Sequence, residues 1–427
     1  MKRRAVIVGG VRTPFARAFA ELLKLDAVDL GVRAVAGLLE RTGVSPGVVD
    51  AVIWGGVILP AAVPNVGREI ALEIGMHHAD ALTVSRACAS SLVAATLAAS
   101  AVERGEHEVV IAGGGDSTSN AEVPLPRKLM QTVAPVAMNR KAGPADWLGA
   151  LARLAPFTDV LPRRPRIAER STGQLMGEAG EEMARRNGIG REEQDAFALR
   201  SHERAAAAMA SGRLAEELVP VTTPEGRTVS ADTIVRGDTS LEQLARLRPV
   251  FARGGTVTAG NSSALTDGAA ALLITSEDKA RALGLTPRAA FRSWHYCGVD
   301  PADQLLVGPA ISMPAALHRA GLSLEQVDLV DMHEAFAAQV LAVLKLLASE
   351  PFARRRLGQE RAPGRIPPER LNVHGGSIAL GHPFAATGAR MVLTMANELH
   401  LTGKKTALLG LCAAGGLGAA AVLERVG

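Results

Sequence analysis

The sequence predicts an α/β protein made of two similar halves, each a layered sheet covered by helices. Three observations carry this. The first is an internal repeat. Leu39-Glu40-Arg41-Thr42-Gly43-Val44-Ser45, then Val49-Asp50-Ala51-Val52, returns as Leu317-His318-Arg319-Ala320-Gly321-Leu322-Ser323, then Val327-Asp328-Leu329-Val330. The offset is constant at 278 residues (41 to 319, 50 to 328). The second is another echo near an offset of 298 (112 to 410): a small-residue helix, a glycine, an apolar strand and a glycine-rich end. The third is composition. The 427 residues are 48% hydrophobic and 21% charged with 44 glycines, which suits a globular chain with many tight turns.

The elements follow in order. Ala5-Val6-Ile7-Val8, after a basic start, reads as a first strand and is too short for a signal-peptide core. Each copy of the first repeat reads as helix, glycine C-cap, turn and buried strand. In the second echo, the helix from Leu92 to Val102 leads through Arg104-Gly105 to Val109-Val110-Ile111-Ala112 and Gly113-Gly114-Gly115. Its counterpart runs from Gly388 to Leu399 through Thr402-Gly403 to Ala407-Leu408-Leu409-Gly410. The second half carries about 20 more residues between its echoes, and the polar stretch 351–370 supplies them as a surface loop. Such βαβ-rich halves predict two parallel sheets related by a pseudo-twofold. Ligand sites in these folds lie at the carboxyl ends of strands.

The segment 119–255 has no counterpart in the second half and reads as a mainly helical insertion covering the site of the first. Ser171-Thr172-Gly173-Gln174 fits a capping box, and Arg191 to Ala210 reads as a strong helix before Gly212. The division expected is 1–118 with 256–278 returning to it, 119–255 as the insertion, and 279–427. The basic cluster Arg153, Arg163, Arg164, Arg166 and Arg170 reads as a solvated face, or as contact with phosphates, an acidic partner or a membrane surface.

Composition also excludes classes. Aromatics at 3% argue against stacking platforms for nucleic acid. A net charge of +4 and a pI near 9.2 fit a small anionic ligand. No apolar run approaches the roughly 20 residues of a membrane span. Three cysteines, Cys88, Cys297 and Cys412, are too few for a disulfide framework, so a reducing, cytoplasmic setting is expected.

Four motifs fall at predicted strand ends. Ser85-Arg86-Ala87-Cys88-Ala89-Ser90-Ser91 sets a thiol at a strand-to-helix turn, where free N–H groups favour a thiolate. Alone, Cys88 reads more readily as a buried structural cysteine, since a free cysteine packs as a small hydrophobe. The others are Asp331-Met332-His333-Glu334-Ala335-Phe336, the run from Asn372 through His374-Gly375-Gly376-Ser377 to Gly381-His382-Pro383, and Cys412-Ala413-Ala414-Gly415-Gly416-Leu417-Gly418. A lone histidine is usually a hydrogen-bonded core residue, and a Gly-Gly run a tight turn. Four such motifs on strand ends of duplicated halves are harder to read so.

On these motifs, with Val11-Arg12-Thr13-Pro14-Phe15 and Thr256-Val257-Thr258-Ala259-Gly260-Asn261-Ser262-Ser263, the chain resembles the thiolases over essentially its whole length. The likeness is greatest to the β-subunit type of fatty-acid β-oxidation complexes, on His333-Glu334-Ala335-Phe336. The resemblance implies a five-layered αβαβα core and CoA-dependent cleavage of a 3-ketoacyl-CoA through an acyl-enzyme. It implies Cys88 as nucleophile, His382 as base and oxyanion donor, His333 as a second donor, Cys412 as acid/base and the Ala414 N–H in an oxyanion hole. Ser263, Ala259 and Met176 match pantetheine-contacting positions, and Ala335 and Phe336 sit beside the thioester. Coenzyme A enters as substrate, with no permanent cofactor and no metal. The expected partners are CoA thioesters, further copies in a dimer or tetramer, and an enoyl-CoA hydratase/3-hydroxyacyl-CoA dehydrogenase α subunit. Nucleic acid is not expected, and membrane contact at most peripheral. Departures exist: Leu175 replaces a frequent histidine, Ala385-Ala386 follow Gly-His-Pro, and Ala414 replaces a glycine. His374 and Cys297 are read as structural or inert. The alternatives are a synthetic acetoacetyl-CoA thiolase, a ketoacyl synthase (disfavoured by Cys412) and a scaffold subunit without turnover.

The chemistry suits the residues. Thiolysis needs a nucleophile that is also a leaving group, which sulfur provides. The expelled enolate needs a proton donor and hydrogen bonds where charge develops.

Overall fold

The computed structural model describes residues 3–123, 125–161 and 168–426. The main strands are β1 (Ala5–Arg12), β2 (Ala51–Gly55), β3 (Asp80–Val84), β4 (Val109–Ser117), β5 (Thr266–Ser276), β6 (Ala289–Gly298), β7 (Leu329–Met332), β8 (Thr406–Ala413) and β9 (Leu417–Arg425). They form a sheet of order β7-β8-β9-β6-β1-β5-β4-β2-β3, with Ala16–Arg17 added beside β5. Among the described residues, the two halves of the sheet are joined where Val6 and Ile7 of β1 pair with Ala290 and Ala289 of β6.

The repeat survives in the backbone. Helix α1 (Ala27–Thr42) ends on left-handed Gly43, and α8 (Pro309–Ala320) on left-handed Gly321. A single 3₁₀ turn follows each, Pro46–Val48 and Leu324–Gln326, before β2 and β7. Helix α3 (Ser90–Arg104) and α10 (Ala386–Thr402) end on left-handed Gly105 and Gly403. Glycine takes this conformation without the Cβ clash that other residues meet.

The strands alternate between two apolar layers, so they read as continuous hydrophobic runs. Ala5 and Ile7 point into a central core, while Val6 and Val8 point the other way. Helices α3 and α10 fill that central layer through Leu92, Ala95, Ala99, Met391, Val392 and Met395. Their N-terminal turns approach so closely that a Cβ on Gly388 would sit 2.5 Å from the Leu92 nitrogen. Helices α1 and α2 (Val66–Glu73) cover the outer face of the first half. Helices α8 and α9 (Ala337–Leu347) cover that of the second. The result is five layers, helix–sheet–helix–sheet–helix.

Three expectations change. The sheets are mixed rather than parallel. β2 pairs in parallel with β3 and β4, and β7 with β8, but β1, β5, β6 and β9 join antiparallel. The cause in the second half is the Ala414-Gly415-Gly416 turn, whose two positive-φ glycines fold β8 back on β9 as a hairpin. Next, Ser171 does not cap a helix. Helix α6 (Met176–Asn187) starts five residues later, its first turn held by the Glu178 carboxylate, which accepts from the Leu175 N–H at 2.7 Å. Lastly, α6 and α7 (Arg191–Ala210) pack on α9, in the second half, not over the first. Residues 121–168 form a separate unit in which α4 (Arg127–Met138) and α5 (Pro144–Arg153) pack together. Of the basic cluster, Arg163, Arg164 and Arg166 lie outside the described residues.

Candidate active site

Cys88 follows β3 and sits two residues before α3. The turn is strained: Ala87 has φ +47°, a region costing a non-glycine residue about 1–2 kcal/mol. Ser90 holds it. Its Oγ accepts from the Arg86 N–H at 2.8 Å and donates to the Ala87 carbonyl at 2.6 Å. The chain is thereby pinned on both sides of the cysteine.

His333 stands at the end of β7, its N–H donating to the Gly410 carbonyl of β8 at 2.9 Å. His382 is reached from a backbone in which Gly381 has φ +98° and no room for a Cβ, which would meet Thr266 Cγ2 at 2.6 Å. The two rings lie 4.1 Å apart, centroid to centroid. Cys88 Sγ and one nitrogen of each ring all lie within 4.8 Å of one another. Each ring is held by a hydroxyl on Nδ1: Ser377 Oγ at 2.8 Å for His333 and Thr387 Oγ1 at 2.6 Å for His382. Both Nε2 atoms are buried and bond to no protein group. Cys412, at the end of β8, is buried close enough for Cys88 to affect its titration. The N–H groups of Ala414 and of Cys88 itself face the Cys88 sulfur. The Gly-Gly turn thus serves both as a tight turn and to aim an amide.

The electrostatics correct one expectation. The helix start and histidines do not yield a resting thiolate. Burial outweighs the two N–H groups and pushes the Cys88 thiol up to about 11, with Asp116 adding in the same direction. Burial also holds both histidines neutral. His382 falls to about 3, through desolvation and then the charge of Arg390. His333 goes well below the usual range through burial, His382 and Arg390. Burial and the neighbouring Cys88 send the Cys412 thiol well above its ordinary value. At neutral pH the centre therefore holds two thiols and two neutral imidazoles.

A shell of buried polar groups, not foreseen as functional, fixes this arrangement. Glu334 accepts from Asn372 Nδ2 at 2.6 Å, Ser201 Oγ at 2.7 Å and the Ile378 N–H at 3.1 Å. Asn372, with φ +48°, also exchanges two side-chain bonds with the Met332 backbone, clamping the end of β7. Asp116, at the end of β4, accepts from the Val57, Ile58 and Ala385 N–H groups, tying the backbone after His382 to the first half. Arg390 on α10 pairs with Asp331 on β7 at 2.7 Å, both fully buried. Glu334, Asn372 and Asp331 sit inside recognisable motifs. Ser201 carries no local signal, because only the docking of α7 brings it to Glu334.

The pantetheine-matching positions divide. Ala259 and Ser263 line a cavity of 470 Å³ with Arg17, Arg236, Phe251 and Leu265. Met176 does not line it and packs instead against the apolar cluster containing Phe336. Ala335 and Phe336 join the cavity to the histidines: the Ser263 N–H donates to the Ala335 carbonyl at 3.0 Å, Ser262 pairs with Phe336, and Leu265 pairs with His382. His374 is bound to Glu398 at 2.7 Å. Cys297 donates to the Gly308 carbonyl.

Fold and site together bring two cysteines and two histidines to the strand ends of a duplicated α/β core. Residues 5–278 match the thiolase N-terminal domain and residues 285–425 the thiolase C-terminal domain. The chain belongs to the thiolase family, a family of acyltransferases. It is 48% identical over 424 residues to a 3-ketoacyl-CoA thiolase of Cronobacter sakazakii, covering 99% of this chain and 97% of the relative. A 3-ketoacyl-CoA thiolase of Yersinia pestis is 46% identical with the same coverage. Among solved structures, human mitochondrial 3-ketoacyl-CoA thiolase superposes with a TM-score of 0.83 at 32% identity, covering 100% of this chain and 99% of that one. The same human enzyme in complex with CoA gives 0.82 at 31%, covering 100% and 98%. Bacillus anthracis acetyl-CoA acetyltransferase gives 0.84 at 32%, covering 100% and 99%.

Proposed function

We propose that this chain cleaves 3-ketoacyl-CoA with CoA through an acyl-Cys88 intermediate. The observation that carries the reading is the convergence of Cys88, His333, His382 and Cys412 from both halves on one centre. The Cys88 thiol attacks the 3-keto carbon as His382 Nε2, neutral and unpartnered, takes its proton. The N–H groups of Cys88 and Ala414 bind the resulting oxyanion. The C2–C3 bond then breaks. The electron pair leaves as the acetyl-CoA enolate, whose oxygen is held by the His333 and His382 side. Cys412, kept protonated by burial, gives the enolate carbon its proton. A second CoA thiol gives its proton to the Cys412 thiolate and attacks the Cys88 thioester; the shortened acyl-CoA leaves and the expelled Cys88 sulfur takes its proton back from His382. Burial leaves His382 unprotonated and Cys412 protonated at neutral pH, the resting states from which a base and an acid start, while making each weaker in its role.

The 470 Å³ cavity with Ala259 and Ser263 is the space for pantetheine, with Arg17 and Arg236 along it to meet negative charge. Reading the chain as a dimer or tetramer, cytoplasmic and partnered by a hydratase/dehydrogenase subunit, rests on the relatives' kind. Among the described residues no helix is long and apolar enough to cross a membrane.

The test is CoA-dependent cleavage of acetoacetyl-CoA and of a long-chain 3-ketoacyl-CoA. Cys88→Ala should lose roughly 10³-fold or more with both, the scale of removing an enzymatic nucleophile. An unchanged rate in that variant overturns the mechanism. Failure of the wild type on both substrates favours a scaffold. Cleavage of acetoacetyl-CoA alone favours the short-chain, synthetic reading.

A further inference from the structure

Three atoms that acyl transfer would use in different roles also form a set that a metal ion would use at once. Cys88 Sγ and one nitrogen each of His333 and His382 lie within 4.8 Å of one another. Both Nε2 atoms are buried without a protein partner. Both Nδ1 atoms are already occupied by the Ser377 and Thr387 hydroxyls. Metal-binding histidines are arranged in this way, one nitrogen held from behind and the other free. We propose that Cys88, His333 and His382 form a three-ligand site for zinc, and that the ion shuts the centre by occupying the sulfur.

The donor set selects the metal. One thiolate and two imidazoles suit zinc and are poor ligands for magnesium or calcium. Zinc bond lengths of about 2.0–2.3 Å put tetrahedral ligands roughly 3.3–3.6 Å apart, so from separations within 4.8 Å the set closes by up to about 1.5 Å around the ion. A zinc ion on three protein ligands leaves its fourth position to water. Binding breaks the Cys88 S–H bond, forms a Zn–S bond and releases one proton to solvent, with no change of oxidation state. The charges around the ion are mixed. Arg390 opposes a cation, but Asp331 neutralises it at 2.7 Å, and Asp116 places a carboxyl on the Cys88 side. Entry follows the 470 Å³ cavity, which reaches Leu265, paired with His382, and Ile378, the neighbour of Ser377.

The shutdown of activity rests on Cys88 being the acyl acceptor; the metal site does not. The full-length protein, freed of metal, is given one equivalent of zinc, passed through a desalting column and assayed for zinc per chain. The expected result is one retained zinc, with one sulfur and two imidazole nitrogens in its X-ray absorption spectrum. Iodoacetamide labelling of Cys88 should slow at least about tenfold, because the metal holds the thiolate. Chelation should restore it. Cys88→Ala and His333→Ala should each lose the retained zinc, with circular dichroism reporting that they fold, and Cys297→Ala should keep it. Zinc held equally by Cys88→Ala, a spectrum without sulfur, or unchanged labelling at saturating zinc each overturn the site. Should Cys88→Ala not fold, the sulfur shell in the wild-type spectrum decides. Thiolysis intact with no zinc bound overturns this inference alone, whereas zinc bound without thiolysis overturns the enzymatic reading alone.

Discussion

Replacing Asp116 by asparagine should reverse its effect on stability between pH 4 and pH 8. The Asp116 carboxyl is fully buried, and desolvation raises it to about 7 from an ordinary 3.8 despite three N–H donors. A carboxyl raised in the folded state favours folding while protonated. That advantage is complete below about pH 4 and is lost as pH rises through about 7. At 1.36 kcal/mol per unit, ionisation costs the wild type about 4 kcal/mol by pH 8. Asparagine stays neutral. Its oxygen can still accept from Val57 and Ile58, but its amide then faces the Ala385 N–H, donor against donor, at a cost of about 1–3 kcal/mol. Asp116→Asn should therefore be less stable at pH 4, where the wild type has lost only about 0.5 kcal/mol, by about 0.5–2.5 kcal/mol, and more stable at pH 8 by about 1–3 kcal/mol. Thermal midpoints of both proteins across this range give the difference directly, since all other titrating groups are shared. Parallel curves would refute the reasoning. The same substitution removes a negative charge that faces Cys88, so its alkylation profile should move to lower pH.

Three further outcomes follow from the geometry. Iodoacetamide labelling of Cys88 should keep rising through pH 9 and level off only near the buried value of about 11; a plateau at pH 7–8 would mean a resting thiolate. Arg390→Met should cost about 3–5 kcal/mol by leaving Asp331 charged and alone, while adding Asp331→Leu should recover most of it in urea unfolding. A double variant as unstable as the sum would contradict this. Gly376→Ala would set a Cβ 2.3 Å from the Glu334 carboxyl carbon. It should cost about 1–3 kcal/mol through forced repacking, read as a lowered thermal midpoint, and should reduce turnover.

Much of the architecture was legible in the chain because it is written twice. The capping glycines Gly43 and Gly321, or Gly105 and Gly403, each announce a helix end from local conformation alone. Strand direction was less legible. An apolar run buried on both faces looks the same parallel or antiparallel, and only the Gly415-Gly416 turn revealed the hairpin. The α6 start was misplaced because Ser171 and Thr172 mimic a cap one turn too early, while the cap used is a glutamate reaching back from inside the helix.

By itself the sequence determined the residue types that could do chemistry, Cys88, His333, His382 and Cys412, and their placement at strand ends. These follow from short-range patterning and from the repeat. Only the tertiary structure decided their state. Burial makes Cys88 a thiol and the histidines neutral bases, and no run of letters reports desolvation. The structure alone also brought up the supports, Ser201 behind Glu334, Asp116 behind the His382 backbone and Arg390 behind Asp331. Each of these contacts joins residues 59 to 269 positions apart. Packing of whole elements, rather than local propensity, sets such distances.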